Sequence, residues 1–293
     1  MIRVVESGVR GTVASPSAFS GIGLHTGAPV MATVRPAAAH SGIWFKRVDV
    51  PYASPIAGRI SAVRETRLGT VIGETAPVRT IEHLMAALSI AGIDDAFVEV
   101  DGPELPIMDG SARDFLTGLR DSGVHGQGVA RRAAMPLAPW AIEDRGRSIR
   151  WEPADVDSIE VSIEFEDAAI GSQSVFLDLA NGDALATVAA ARTFCRRSDI
   201  DAMHAAGLAL GGSLHNAIVV DGDRILNPEG LRAPSEFAYH KALDLIGDLA
   251  LFGAPLRGRI SALRPGHDLN VAFVREVAER AAGCGFDPFE QAD

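Results

Sequence analysis

Apolar positions along this chain fall into two kinds of run. Short stretches mix apolar with small or polar residues and are interrupted by Gly and Pro, as at residues 30–34, 97–100, 161–165 and 216–220. That spacing predicts strands. Other stretches carry helix punctuation. Residues 81–91 follow Thr80, a residue type suited to an N-cap, and stop at Gly92, which suits the position after a helix. Residues 112–122 lie between Ser111 and Gly123, residues 236–252 between Ser235 and Gly253, and residues 270–282 end at Gly283. In each half strands lead and helices follow, which predicts an α+β fold rather than regular alternation. The polar, Gly-containing stretch 124–136 is the expected boundary. It divides the chain into an N-terminal domain, 1–126, and a C-terminal domain, 127–293.

Composition narrows the function. A chain of 293 residues suits two domains, each with a core of its own. Acidic residues outnumber basic ones, 38 to 27, for a net charge of −11. This argues against a dedicated nucleic-acid binder, which needs clustered Lys and Arg. Two cysteines, Cys195 and Cys284, exclude a disulfide scaffold and a Cys-based zinc finger. The N-terminus has no apolar core of signal-peptide length, and no apolar run is long enough for a spanning helix. A cytoplasmic protein is expected, and a local basic pocket for a phosphorylated small molecule is not excluded.

His240 and Asp244 stand four apart on an expected helix, so both side chains lie on one face. Imidazole plus carboxylate suits zinc. The same spacing also fits a polar stripe on a solvated face. Asp248 continues that face but sits about 12 Å along the axis from His240, too far to share one ion with both. Glu82-His83 opens another expected helix, where neighbouring side chains diverge by about 100°. A catalytic zinc needs three protein ligands and an open position. His83, His240 and Asp244 would supply the ligands, with Glu82 as general base. The plainer alternative is a surface Glu and a half-buried His. His267 lies where a strand gives way to the last helix. It reads as a loop residue, or as a general acid kept protonated by Asp248. A Thr193 hydroxyl could donate to an oxyanion. The loop 21–27 has the glycines of a phosphate loop but no following Lys-Ser/Thr, so no nucleotide fingerprint fits.

In chain order, these segments resemble one family. They are Gly21–Gly27, Thr80-Ile81-Glu82-His83-Leu84-Met85-Ala86-Ala87-Leu88, Glu104–Ser111, Arg192-Thr193-Phe194, Leu210–Ser213, Leu226-Asn227-Pro228-Glu229-Gly230-Leu231-Arg232, Glu236–Leu249 and Gly266-His267. The set is similar to the zinc-dependent UDP-3-O-acyl-N-acetylglucosamine deacetylases of lipid A synthesis. The resemblance implies one Zn2+ per chain on His83, His240 and Asp244. It implies Glu82 as base, His267 as acid with Asp248 behind it, and Thr193 at the oxyanion. Lys241 would add charge near the substrate, a nucleotide-sugar lipid precursor, and His25, Phe194 and Asp199 would belong to its binding surface. The implied fold is two similar α+β domains, each a sheet layered against helices, with the active site between them. An insert forming an acyl-chain passage would lie near residues 165–174. The chain departs from the family pattern at Tyr239, where an Arg is usual, at Asp167-Ala168, at Cys195 and at His215. None of these is a proposed chemical group. Two other readings keep the same fold: a relative acting on another acylated amino sugar, and a non-catalytic binding protein.

Overall fold

The computed structural model describes residues 1–289. The first half runs β1 (Ile2–Val13), β2 (Ser17–Ile22), β3 (Pro29–Pro36), β4 (Ile43–Arg47), β5 (Ile56–Ala57), β6 (Val63–Glu65), β7 (Val71–Ile72), α1 (Glu82–Ala91), β8 (Ala96–Val100), α2 (Arg113–Asp121) and β9 (Val124–Pro136). The second runs β10 (Trp140–Asp144), β11 (Arg147–Glu152), β12 (Ser158–Glu164), β13 (Ser172–Asp178), α3 (Gly182–Ala189), β14 (Phe194–Arg196), α4 (Arg197–Ala205), β15 (Ile218–Asp221), β16 (Arg224–Ile225), α5 (Glu236–Leu249), β17 (Arg259–Leu263) and α6 (His267–Ala282).

Each half is built on a five-stranded sheet, and the two sheets share one plan. The orders are β2-β3-β8-β4-β5 and β10-β11-β17-β12-β13. In both, the sheet's last strand in sequence, β8 or β17, enters the centre, antiparallel to the sheet's second strand and parallel to its third. Residues of one strand face alternate in burial: Val30, Ala32 and Val34 in β3, and Ile159, Val161 and Ile163 in β12, point into the core. Helices cover those faces, and α1 and α5 pack against each other where the halves meet. Leu84, Leu88 and Leu243 are fully buried there. Each contributes about 1.5–3 kcal/mol by leaving water.

The helix junction depends on Gly247. A Cβ at that position would lie 2.1 Å from the carbonyl oxygen of Glu82. Only glycine lets α5 approach the first turn of α1 so closely.

All four expected strands and all four expected helices form, with shifted ends. Thr80 does not cap α1. Its φ is +56°, and its hydroxyl donates to Glu104 Oε1 at 2.9 Å, so α1 begins at Glu82. Ser111 accepts from the backbone N–H of Arg113 at 3.2 Å, and α2 starts there. After Leu249 the chain tightens into a 3-10 turn, Ala250–Phe252, before Gly253. The last helix starts at His267, three residues earlier than expected, because Gly266 supplies an extended N-cap without a side-chain signal. Residues 124–136 form a strand: β9 pairs antiparallel with β1 in a two-stranded ribbon that precedes the second sheet. Among the described residues no helix is long and apolar enough to cross a membrane.

Candidate active site

The first turn of α1, the middle of α5 and the first turn of α6 converge at one end of the helix layer. His83, His240 and Asp244 are each at most 3% exposed, and their ligand atoms all lie within 4.8 Å of one another. His240 donates from Nδ1 to the carbonyl of Ala191 at 3.1 Å, which leaves its Nε2 as a lone pair. That Nε2 faces Asp244 Oδ1 at 3.3 Å, and His83 Nε2 lies 3.7 Å from the same oxygen. Asp244 Oδ1 is buried without a hydrogen-bond partner.

Burial and the neighbouring His240 lower the His83 pKa to about 3, and burial also lowers that of His240. Burial alone would raise the Asp244 pKa, but His240 and Lys241 outweigh it and hold the carboxylate ionised. Two neutral imidazoles and an ionised carboxylate thus bring their ligand atoms together at one point. That arrangement fits a bound cation, which removes the repulsion and satisfies the orphaned oxygen.

Two further groups flank this cluster. Glu82, 3% exposed, receives the backbone N–H of Thr70 on Oε2 at 3.0 Å. Burial raises its pKa to about 7; Asp248 and Asp244 push the same way, while His267 opposes them. His267 enters from α6 with Nε2 3.9 Å from both Glu82 Oε1 and Asp244 Oδ2. Its Nδ1 donates to Asp248 Oδ2 at 2.8 Å. Burial would lower the His267 pKa, but the charges of Asp248 and Glu82 dominate and raise it to about 10. Asp248 is fully buried and also receives Asn270 Nδ2 at 2.9 Å. It stands outside the metal group, as its distance along the helix demands. Lys241 donates to Asp244 Oδ2 at 2.8 Å and sits 5.5 Å from the centre of the Phe194 ring.

Glu82, His83, His240, Lys241, Asp244 and His267 line a cavity of about 630 Å3. Thr193 and Phe194 form part of its wall, and Ile200, Met203, Leu214, Val219 and Leu226 make one side apolar. His25 is also in the wall, but both ring nitrogens are engaged. Nε2 donates to Leu68 O at 3.1 Å and Nδ1 accepts from the Ala209 N–H at 3.2 Å. Asp199 is exposed in the first turn of α4 and is not among the lining residues. Residues 165–174, expected to form an acyl passage, do not line the cavity either. They make the turn between β12 and β13 and the first residues of β13, and Asp167 in the turn pairs with Arg196 at 2.6 Å. The apolar wall comes instead from the segment between Phe194 and Leu226.

A sequence model of the UDP-3-O-acyl N-acetylglycosamine deacetylase family matches residues 10–279. The chain belongs to this family. It is 48% identical to the UDP-3-O-acyl-N-acetylglucosamine deacetylase of Phenylobacterium zucineum, over 92% of this chain and 93% of that one. The deacetylases of Anaeromyxobacter dehalogenans and of another Anaeromyxobacter are 47% and 46% identical. Each match spans 91% of this chain, and 86% and 87% of theirs.

Several residues that support this site were not singled out from the sequence. Glu104 is buried and accepts from the backbone of His25 and Thr26, so it ties the loop 21–27 to the cavity wall. Arg192, 1% exposed, is clamped by buried Glu236 at 2.8 Å and by Glu229 at 2.6 Å. This fixes the segment whose Ala191 carbonyl orients His240. Asn270 stands three residues after His267, so it could have been found had the helix start been placed correctly.

Proposed function

We propose that this protein is a cytoplasmic zinc-dependent deacetylase. It hydrolyses the acetamide of UDP-3-O-(3-hydroxyacyl)-N-acetylglucosamine and releases acetate, the committed step of lipid A synthesis. The observation that carries the reading is the convergence of three lone-pair donors, flanked by a carboxylate and a protonated imidazole, in one chain of this family. His83, His240 and Asp244 would hold one Zn2+, which supplies Lewis acidity for acidifying water and polarising a carbonyl.

The remaining chemistry belongs to side chains. Glu82, whose pKa of about 7 makes it a usable base at neutral pH, takes a proton from the attacking water. His267, protonated up to about pH 10, delivers a proton from Nε2 to the departing amine, while Asp248 holds Nδ1. Thr193 donates to the carbonyl oxygen as charge develops there. Lys241 adds positive charge near the substrate. Phe194 and the pinned His25 shape the wall, and Asp199 meets a substrate that extends over α4. The groups come from residues 1–126 and 127–293, taken as the two domains, so one chain completes the site and a monomer suffices.

The test is incubation of zinc-loaded protein with UDP-3-O-acyl-N-acetylglucosamine and detection of acetate and free amine. Stoichiometric release supports the assignment, and no turnover of any acylated UDP-N-acetylglucosamine contradicts it.

A further inference from the structure

Thr70 sits between the proposed base and the proposed acid and touches the base itself and the carboxylate that supports the acid. It directly precedes β7, in the first half of the chain, and is fully buried. Its backbone N–H donates to Glu82 Oε2 at 3.0 Å, and its hydroxyl donates to Asp248 Oδ1 at 2.6 Å. The same hydroxyl oxygen lies 3.3 Å from His267 Nδ1. Asp248 therefore accepts from three donors: Thr70 on one oxygen, and His267 and Asn270 on the other. Two of these donors come from α6. Thr70 ties the carboxylate to the opposite half of the chain.

The preceding residue is shaped to permit this. Gly69 has φ +149°, and a Cβ there would lie 3.0 Å from Glu82 Oε1. A side chain at that position would push on the base or on the backbone that presents Thr70.

We infer that Thr70 is a positioning residue that sets the base and the acid in register across the interface between the two halves. Its amide fixes Glu82, and its hydroxyl fixes Asp248 and, through it, the His267 ring. Buried polar links of this kind keep catalytic groups within a fraction of an ångström of productive geometry. The inference rests on the deacetylase reading. It assigns Thr70 no contact with substrate.

Thr70→Val keeps the shape, removes the hydroxyl and leaves the backbone N–H in place. The expected result is a fall in kcat of about 10- to 100-fold with KM and bound zinc nearly unchanged. Thr70→Ser, which restores the donor, should recover kcat to within about threefold of the unmodified protein. Because Thr70 acts through Asp248, Thr70→Val combined with Asp248→Asn should be hardly slower than Asp248→Asn alone. If Thr70→Val does not fold, the Thr70→Ser result and its thermal midpoint decide. Near-normal kcat in a folded Thr70→Ser protein supports the role, and a kcat as low as that of Asp248→Asn overturns it. Full activity in Thr70→Val, or multiplicative losses in the double variant, overturns it as well. Absence of turnover in the unmodified protein would instead overturn the function, and this inference with it.

Discussion

Glu82 and His267 approach each other from opposite halves of the chain, with 3.9 Å between carboxylate oxygen and Nε2. Between about pH 7 and pH 10 the first is ionised and the second protonated, the pairing a base and an acid require. The rate should rise as pH passes the Glu82 pKa and fall as it passes that of His267, so kcat/KM is bell-shaped. A cation beside Glu82 favours its ionised form and moves the lower limb further down. Asp248→Asn removes a charge that raises the His267 pKa, so the upper limb should move to lower pH. A pH–rate profile with an unmoved upper limb contradicts Asp248 as the charge partner. Glu82→Gln should cut turnover by about 10^2- to 10^4-fold while zinc measured by elemental analysis stays bound. The His240–Asp244 half of the cluster was legible because four-residue spacing fixes a shared helix face. Thr70 was not, since it meets Asp248 across 178 residues of chain and no periodicity links them.

The junction of α1 and α5 is the element-scale determinant of the site. Gly247 lets the backbone of Glu82 come close, and so brings Glu82 and His83 beside His240 and Asp244. Gly247→Ala should cost about 1–3 kcal/mol by overpacking and lower turnover together with the thermal midpoint, both measurable on the same preparation. A variant with unchanged activity would mean that the helix approach does not position the site. The clamp of Arg192 by Glu236 gives a separate expectation. Burial would raise the Glu236 pKa, but hydrogen bonds from Arg192 and from the Arg232 amide prevail and lower it below its ordinary 4.5. Its contribution is therefore fully present above about 4.5 and lost as pH falls through the lowered value. Acid denaturation curves should show that loss in the unmodified protein and a weaker pH dependence in Glu236→Gln. Most helix ends were readable from glycines after the last turn, as at Gly92 and Gly253. The start of α6 was not, because Gly266 caps it through backbone alone. Nor was β9, whose polar composition reflects an exposed two-stranded ribbon.

At the scale of the whole molecule, the two halves repeat one strand order and pack through their helices. The repeat is invisible in residue identity because only the alternation of buried positions is shared, as between β3 and β12. A metal held by the proposed ligands from both halves would bind the folded chain and not its parts, so zinc should raise the thermal midpoint. His83→Ala, which withdraws the first half's proposed ligand, should abolish that rise, and an equal rise in the variant would place the metal elsewhere.

The most direct test of the central claim is acetate release from UDP-3-O-acyl-N-acetylglucosamine as zinc is titrated into chelated protein. Activity should return linearly and level off at one zinc per chain. Turnover that survives chelation, or none at any zinc content, would contradict it.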